Sequence, residues 1–329
     1  MIVGPLKSNI QFSIIILLVF CFAAWLGTFG FVHLQTSSIN YKEHILYSFF
    51  FDKILSATVQ HIFTLLIILT GAFFTNFLAI EQEITTKTNY LPAFFYILFA
   101  FSANTKGLIE PILAANLLVL PALYFLMNSY RQDYALAEFY KSGLFMGLAS
   151  FFCIHYMVMF PLCFIALIIL RPFNWREWVV LLLGLLTPLY LYIGISYLVT
   201  DMPFAVFGML KEATSSVQKP LLSEYYMPLL FISILTILFS LAHYLGKGFG
   251  GKVKTKKAKY ILIWMLLLSF SILFFEQMSD MILLPCIIPF SILTGDYLSE
   301  IKQLKIANTL LVLYIAGFTL IYLHALDII

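Results

Sequence analysis

Long apolar runs follow one another along almost the whole of this sequence, separated by short polar or Pro/Gly punctuation, and this succession decides what the chain can fold into. Backbone donors and acceptors in such a run must be satisfied without water, which a single segment achieves only as a helix. Eleven runs read as spans, at about 12–32, 57–80, 90–104, 110–127, 142–153, 156–170, 177–199, 227–245, 260–275, 281–297 and 306–326. Composition agrees: 62% of residues are hydrophobic and 11% charged, where soluble domains carry about 25% charge. The expectation is an all-α, polytopic membrane helix bundle of about eleven transmembrane helices, a single domain over residues 1–329. Its connectors are too short to hold a soluble catalytic, nucleotide-binding or nucleic-acid-binding domain. The bilayer is therefore an expected partner and nucleic acid is not.

Charge sets the expected orientation. Lys247, Lys252, Lys254, Lys256, Lys257 and Lys259 cluster in a connector that also holds Gly246, Gly248, Gly250 and Gly251. Short basic loops stay in the cytoplasm. With this one inside, Lys7, Lys87, Arg131, Lys141, Arg171, Arg176, Lys302 and Lys305 also fall inside, and only Lys42, Lys53, Lys106, Lys211 and Lys219 fall outside. The reading is a multi-pass membrane protein, N-terminus cytoplasmic and C-terminus on the outer side, with the first helix kept as an uncleaved anchor. The lysine run itself reads as a solvated loop attracted to anionic headgroups. Residues 142–170 form one unbroken apolar stretch that is either a single tilted helix or a hairpin of two short ones. Lys141 at one end and Arg171 and Arg176 at the other select the hairpin, with its turn at His155 and Tyr156.

Soluble-enzyme motifs are missing from the sequence, which has no G-x-S-x-G, no H-E-x-x-H and no paired Cys-x-x-Cys. Cys21, Cys153, Cys163 and Cys286 lie within apolar runs and suggest neither disulfides nor a metal site, and no cofactor is implied. His61, His155 and Asp296 lie nearest to membrane depth and read as satisfied polar groups near helix ends. Two outer segments are long enough to act: residues 33–56 read as an interfacial amphipathic helix, and residues 200–226 are placed to cover a cavity. A carboxylate beside the membrane serves as a general base on a hydroxyl acceptor. Glu43 is the first candidate catalytic residue and Asp52 the second, with Glu276 and Asp280 an i,i+4 pair further along. Lys106, Lys211 and Lys219 are the candidate binders of a donor phosphate near the outer headgroup plane. The plainer readings are solvated loop acids and lysines that snorkel to headgroups.

The stretch GLFMGLASFFCIHYMVMFPLCFIALIILRPFNWREWVVLLLGLLTPLYLYIGISY, residues 143–197, resembles the middle of integral-membrane glycosyltransferases of the C class. The matching positions are Gly143, Gly147, Leu148, Ala149, Pro161, Arg171, Trp175, Arg176, Gly184 and Pro188. Residues 281–295, MILLPCIIPFSILTG, look like the late Leu-Leu-Pro-x-x-Pro-Pro helix of those enzymes through Leu283, Leu284, Pro285 and Pro289. Most of the chain is also similar to an uncharacterised family of bacterial polytopic inner-membrane proteins. The resemblance implies transfer of a sugar from a polyprenyl-phosphate donor, held near Lys106, Lys211 and Lys219, to an outer-face acceptor, with Glu43 as base and Asp52 in reserve. Two other readings stand beside it: a non-enzymatic membrane subunit or assembly factor that binds another membrane protein, and a lipid or small-solute transporter. Donor, acceptor and oligomeric state are not specified by the sequence.

Overall fold

A computed structural model of the chain describes residue 6 and residues 10–29, 57–105, 107–200, 226–246, 252–272, 284–301 and 303–325. Among the described residues there are eleven α-helices and no strand. They are α1 (Ile10–Phe29), α2 (Ala57–Glu81), α3 (Leu91–Ala103), α4 (Pro111–Asn128), α5 (Leu136–Phe152), α6 (Phe160–Leu170), α7 (Trp175–Thr200), α8 (Met227–Gly246), α9 (Val253–Ile272), α10 (Ile287–Glu300) and α11 (Leu304–Ala325). Five helical segments are long and apolar enough to cross a membrane: Ile10–Thr28, Thr58–Glu81, Pro111–Asn128, Trp175–Leu198 and Leu304–Leu323. Leu91–Ala103, Ile154–Leu170 and Met227–Ala242 are apolar but shorter.

The helices are apolar outside as well as within. Ile15, Val19 and Phe22 of α1, Leu191, Ile195 and Leu198 of α7, and Phe231 and Leu238 of α8 are exposed, while Ser13, Thr28, Thr64 and Ser233 are buried. A water-soluble bundle shows the reverse. Exposed apolar faces with interior polar groups match a lipid-like surrounding, in which the polar side chains must find partners inside the bundle. At the centre stands α3, buried at every residue from Leu91 to Ala103. It packs on α1, α2, α10 and α11. Gly295 of α10 lets that helix come close to the α3 backbone: a Cβ there would lie 2.7 Å from the Pro92 nitrogen.

Residues 142–170 form the expected hairpin, although its first arm begins earlier, at Leu136. A 3-10 segment, Ile154–Met159, makes the turn. Both arms start and finish at one end of the bundle. Lys141 Nζ of α5 lies over the Phe125 ring near the end of α4, and Lys257 Nζ of α9 contacts both the Tyr130 ring and the Leu170 carbonyl at the end of α6. At the other end, the Tyr156 hydroxyl donates to Asn116 Oδ1 of α4 at 2.7 Å. The turn segment of 6 residues and the returning helix of 11 together equal the 17 residues of α5.

Gly143, Gly147 and Gly184, singled out in 143–188, stand where backbones meet. After the hairpin, α7 runs parallel to α5 and packs directly on it. A Cβ on Gly143 would collide with the Leu181 carbonyl, one on Gly184 with the Tyr140 carbonyl, and one on Gly147 would lie 2.7 Å from the Leu185 carbonyl. This is the small-residue crossing that membrane helices use in place of hydrophobic driving force.

Candidate functional site

Glu43, Asp52, Lys106, Lys211 and Lys219 all lie outside the described residues, as do Glu276 and Asp280. What the structure describes is the helix ends to which their segments attach. These ends lie opposite the lysine-bearing start of α9, and a chain of polar groups is buried there.

Its centre is His61, 0% exposed in the second turn of α2. His61 Nδ1 sits 2.7 Å from the Gly107 carbonyl. A carbonyl oxygen only accepts, so Nδ1 carries a proton. Nε2 lies 3.2 Å from Thr28 Oγ1 at the end of α1, and the Trp25 indole donates to the His61 carbonyl at 3.0 Å. Gly107 has φ +67°, and any side chain there would overlap the His61 ring, so only glycine fits both its conformation and its space. Asn104 braces the same loop: Oδ1 accepts from the Gly107 N–H at 3.0 Å and Nδ2 donates to the Leu108 carbonyl at 2.7 Å. Glu110, 1% exposed, precedes Pro111 at the start of α4. Residues 104–105 and 107–110 are thus held together by Asn104 and against α2 by His61.

Deeper in the bundle, Asn116 links three elements. Its Oδ1 accepts from Tyr156, and its Nδ2 donates to the Leu284 carbonyl at 2.7 Å. The Pro285 carbonyl receives the Ser269 hydroxyl of α9 at 3.0 Å. Proline explains why that carbonyl is available, because Pro289 has no N–H to offer the group four residues before it. The Leu284-Pro285-x-x-x-Pro289 stretch is therefore a helix break whose loose carbonyls are taken up by Asn116 and Ser269. Asn116, Tyr156 and Glu110 were not singled out as candidate site residues from sequence. A lone Asn in the apolar PILAANLLVL was the available signal, since polar groups at membrane depth are costly.

The lysine-rich end differs from its expected form. Lys252–Lys259 is not a loop: from Val253 onward it is the first turns of α9. Lys259 Nζ meets Asp296 Oδ2 of α10 at 2.7 Å, with 8% and 2% of the two side chains exposed. Lys257 Nζ donates to the Leu170 carbonyl at 2.8 Å, Lys254 Nζ to the Glu81 carbonyl at 2.8 Å, and Lys252 Nζ pairs with Glu83 Oε2 at 2.9 Å. Arg171 and Glu177, both largely buried, lie 3.4 Å apart. The α2 C-terminus supplies Glu83 through a Schellman ending. Ile84 N–H reaches the Ala79 carbonyl and Glu83 N–H the Ile80 carbonyl, both at 2.9 Å, with Glu83 at φ 55° where glycine is customary. These contacts frame a cleft of 450 Å³ lined by Glu83, Asn128, Tyr130, Arg131, Lys252 and Lys254.

Among the described residues no group of three His, Cys, Asp or Glu is arranged to hold a metal, and the four cysteines are buried and joined by no disulfide. A family model described as "Family of unknown function (DUF6427)" matches residues 39–329. No curated protein and no solved structure matches the chain.

Proposed function

We propose that the chain, which belongs to the DUF6427 family of unknown function, is an eleven-span bundle of a bacterial inner membrane that transfers a sugar from a polyprenyl-phosphate donor at its outer end. In this reading the lysine-rich start of α9 faces the cytoplasm. The shorter helices cross together with their neighbours, and residues 33–56 and 200–226 cover the outer end. Glu43 takes the proton of the acceptor hydroxyl, with Asp52 as the alternative, while Lys106, Lys211 and Lys219 steady the departing phosphate.

One observation carries the reading. The described residues on either side of position 106 are held by Asn104 and pinned to α2 through the His61–Gly107 contact, close in sequence to the buried acid Glu110. A pinned loop with a cation and a buried carboxylate is a costly construction in an apolar bundle and suits a site that must hold a charged headgroup.

The test is release of polyprenyl phosphate, with the sugar passing to an acceptor hydroxyl, when vesicles containing the purified protein are given a polyprenyl-phosphate-linked sugar and a cell-envelope extract as the source of acceptor. Wild type is expected to turn over, and Glu43→Gln to lose at least about a hundredfold, the scale of general-base catalysis. Undiminished turnover in Glu43→Gln would remove the assignment.

A second reading, a non-enzymatic membrane subunit, is favoured by how fully the polar groups of that end engage one another, as Trp25, Thr28, His61 and Gly107 do. It predicts no turnover in wild type and a membrane protein that copurifies in fixed ratio in mild detergent.

A further inference from the structure

The cleft at the lysine-rich end has the chemistry of an anion site. Its 450 Å³ are lined by three cations, Arg131, Lys252 and Lys254, and by one acid, Glu83. That acid is already paired with Lys252 at 2.9 Å, and Lys254 spends one donor on the Glu81 carbonyl at 2.8 Å. An ammonium has three donors and a guanidinium five, so donors remain on both lysines. Arg131 has the most to offer. Among the described residues its guanidinium meets no carboxylate and lies over the Tyr130 ring, 5.3 Å from the centroid. Lys257 leans on the same ring at 4.9 Å. Two cations gathered on one ring repel each other, and an anion beside them relieves the repulsion.

Backbone conformation gives a second, independent indication. Among the described residues only two that are not glycine have positive φ, Glu83 at 55° and Arg131 at 62°, and both line this cleft. Glycine would hold either turn without the steric cost that a Cβ brings. Charged side chains stand there instead, at two loops separated in sequence and joined in space by the start of α9. Strain that gathers at one concavity is a mark of a binding site.

We propose that this cleft binds a phosphate-bearing anion, with the Arg131 fork on the phosphate oxygens and Lys252 and Lys254 on either side. Planar guanidinium donors suit phosphate in pairs, and the first N–H groups of α9, whose Val253 lines the cleft, add to the attraction. Asn128 supplies a neutral amide at the rim. The phosphate belongs either to the headgroup of an acidic lipid or to a soluble phosphate ester. The site stands apart from sugar transfer, which is assigned to the opposite end.

Native mass spectrometry of the purified full chain in neutral detergent tests this, with phosphatidylglycerol, phosphatidylcholine and inorganic pyrophosphate as probes. Wild type is expected to retain phosphatidylglycerol or pyrophosphate in preference to phosphatidylcholine. Retention of phosphatidylglycerol alone identifies a lipid site, and retention of pyrophosphate a soluble ester. The double variant R131Q/K254Q should weaken retention about tenfold or more. Glu83→Gln removes the competing acid and should strengthen it. Equal retention of phosphatidylcholine, or R131Q/K254Q binding like wild type, would overturn the proposal. Should the double variant not fold, unchanged or weaker anion retention by Glu83→Gln overturns it instead.

Discussion

At the scale of the residue, the Lys259–Asp296 pair shows most clearly how charge is handled. A 2.7 Å contact with both side chains almost wholly covered means that neither charge has water to fall back on. Breaking such a pair from one side leaves the other charge stranded, which costs about 3–5 kcal/mol, whereas replacing both by apolar groups is often neutral. Asp296→Leu alone and Lys259→Met alone are therefore each expected to lower the melting temperature of the purified protein sharply. The double variant should recover most of the loss. Two single effects that simply add in the double variant would show that the groups act separately. Asp296 reads from sequence as a satisfied polar residue near a helix end, which describes its setting. Its partner is not legible there, because Lys259 stands among six lysines of one connector and nothing local distinguishes it.

At the scale of the element, the α5–α7 crossing rests on the absence of side chains. Gly184 faces the Tyr140 carbonyl and Gly143 the Leu181 carbonyl, so a larger residue must push the two backbones apart. Gly194 lies on the same helix with nothing within 4 Å of an added Cβ. Gly184→Leu is expected to cost about 1–3 kcal/mol or more and to reduce the yield of monodisperse protein, while Gly194→Leu leaves both unchanged. Equal tolerance at the two positions, read by size-exclusion profile and thermal unfolding, would contradict the crossing. Elements were the most legible level of this fold. Apolar runs bounded by Pro, Gly and charge mark helices because the run length and its punctuation are local properties. The hairpin read at 142–170 was legible for the same reason, since Lys141 and Arg171 flank that run, although its first arm begins earlier, at Leu136. What joins helices was not: Asn116 meets a carbonyl 168 residues away and Lys254 one 173 residues away, and such pairings leave no periodic trace. The acids and lysines proposed for chemistry sit in segments outside the described residues.

At the scale of the whole molecule, one end gathers the loops after α2, α4 and α6 and the start of α9, and the other gathers the His61 network and the 3-10 turns. In the proposed topology the first end, richer in Lys and Arg, faces the cytoplasm. Asp133→Cys, exposed in the α4–α5 loop, should then react with a membrane-impermeant thiol reagent only after cells are opened, the native cysteines being buried. A periplasm-dependent phosphatase joined after Ile329 should be active. The opposite pattern at both probes would invert the orientation, and a mixed pattern would change the number of crossings.

The buried helix α3 has a consequence for how the protein is made. Its thirteen residues span about 20 Å, well short of a bilayer's apolar thickness, and none of its sides is left for lipid. On leaving the ribosome it has α1 and α2 for company, but α10 and α11, which close around it, are synthesised last. The pith of the bundle is therefore an early passenger that waits for its latest neighbours. A nascent chain cut before residue 284 carries it half-wrapped, a natural target for the proteases that police unfinished membrane proteins.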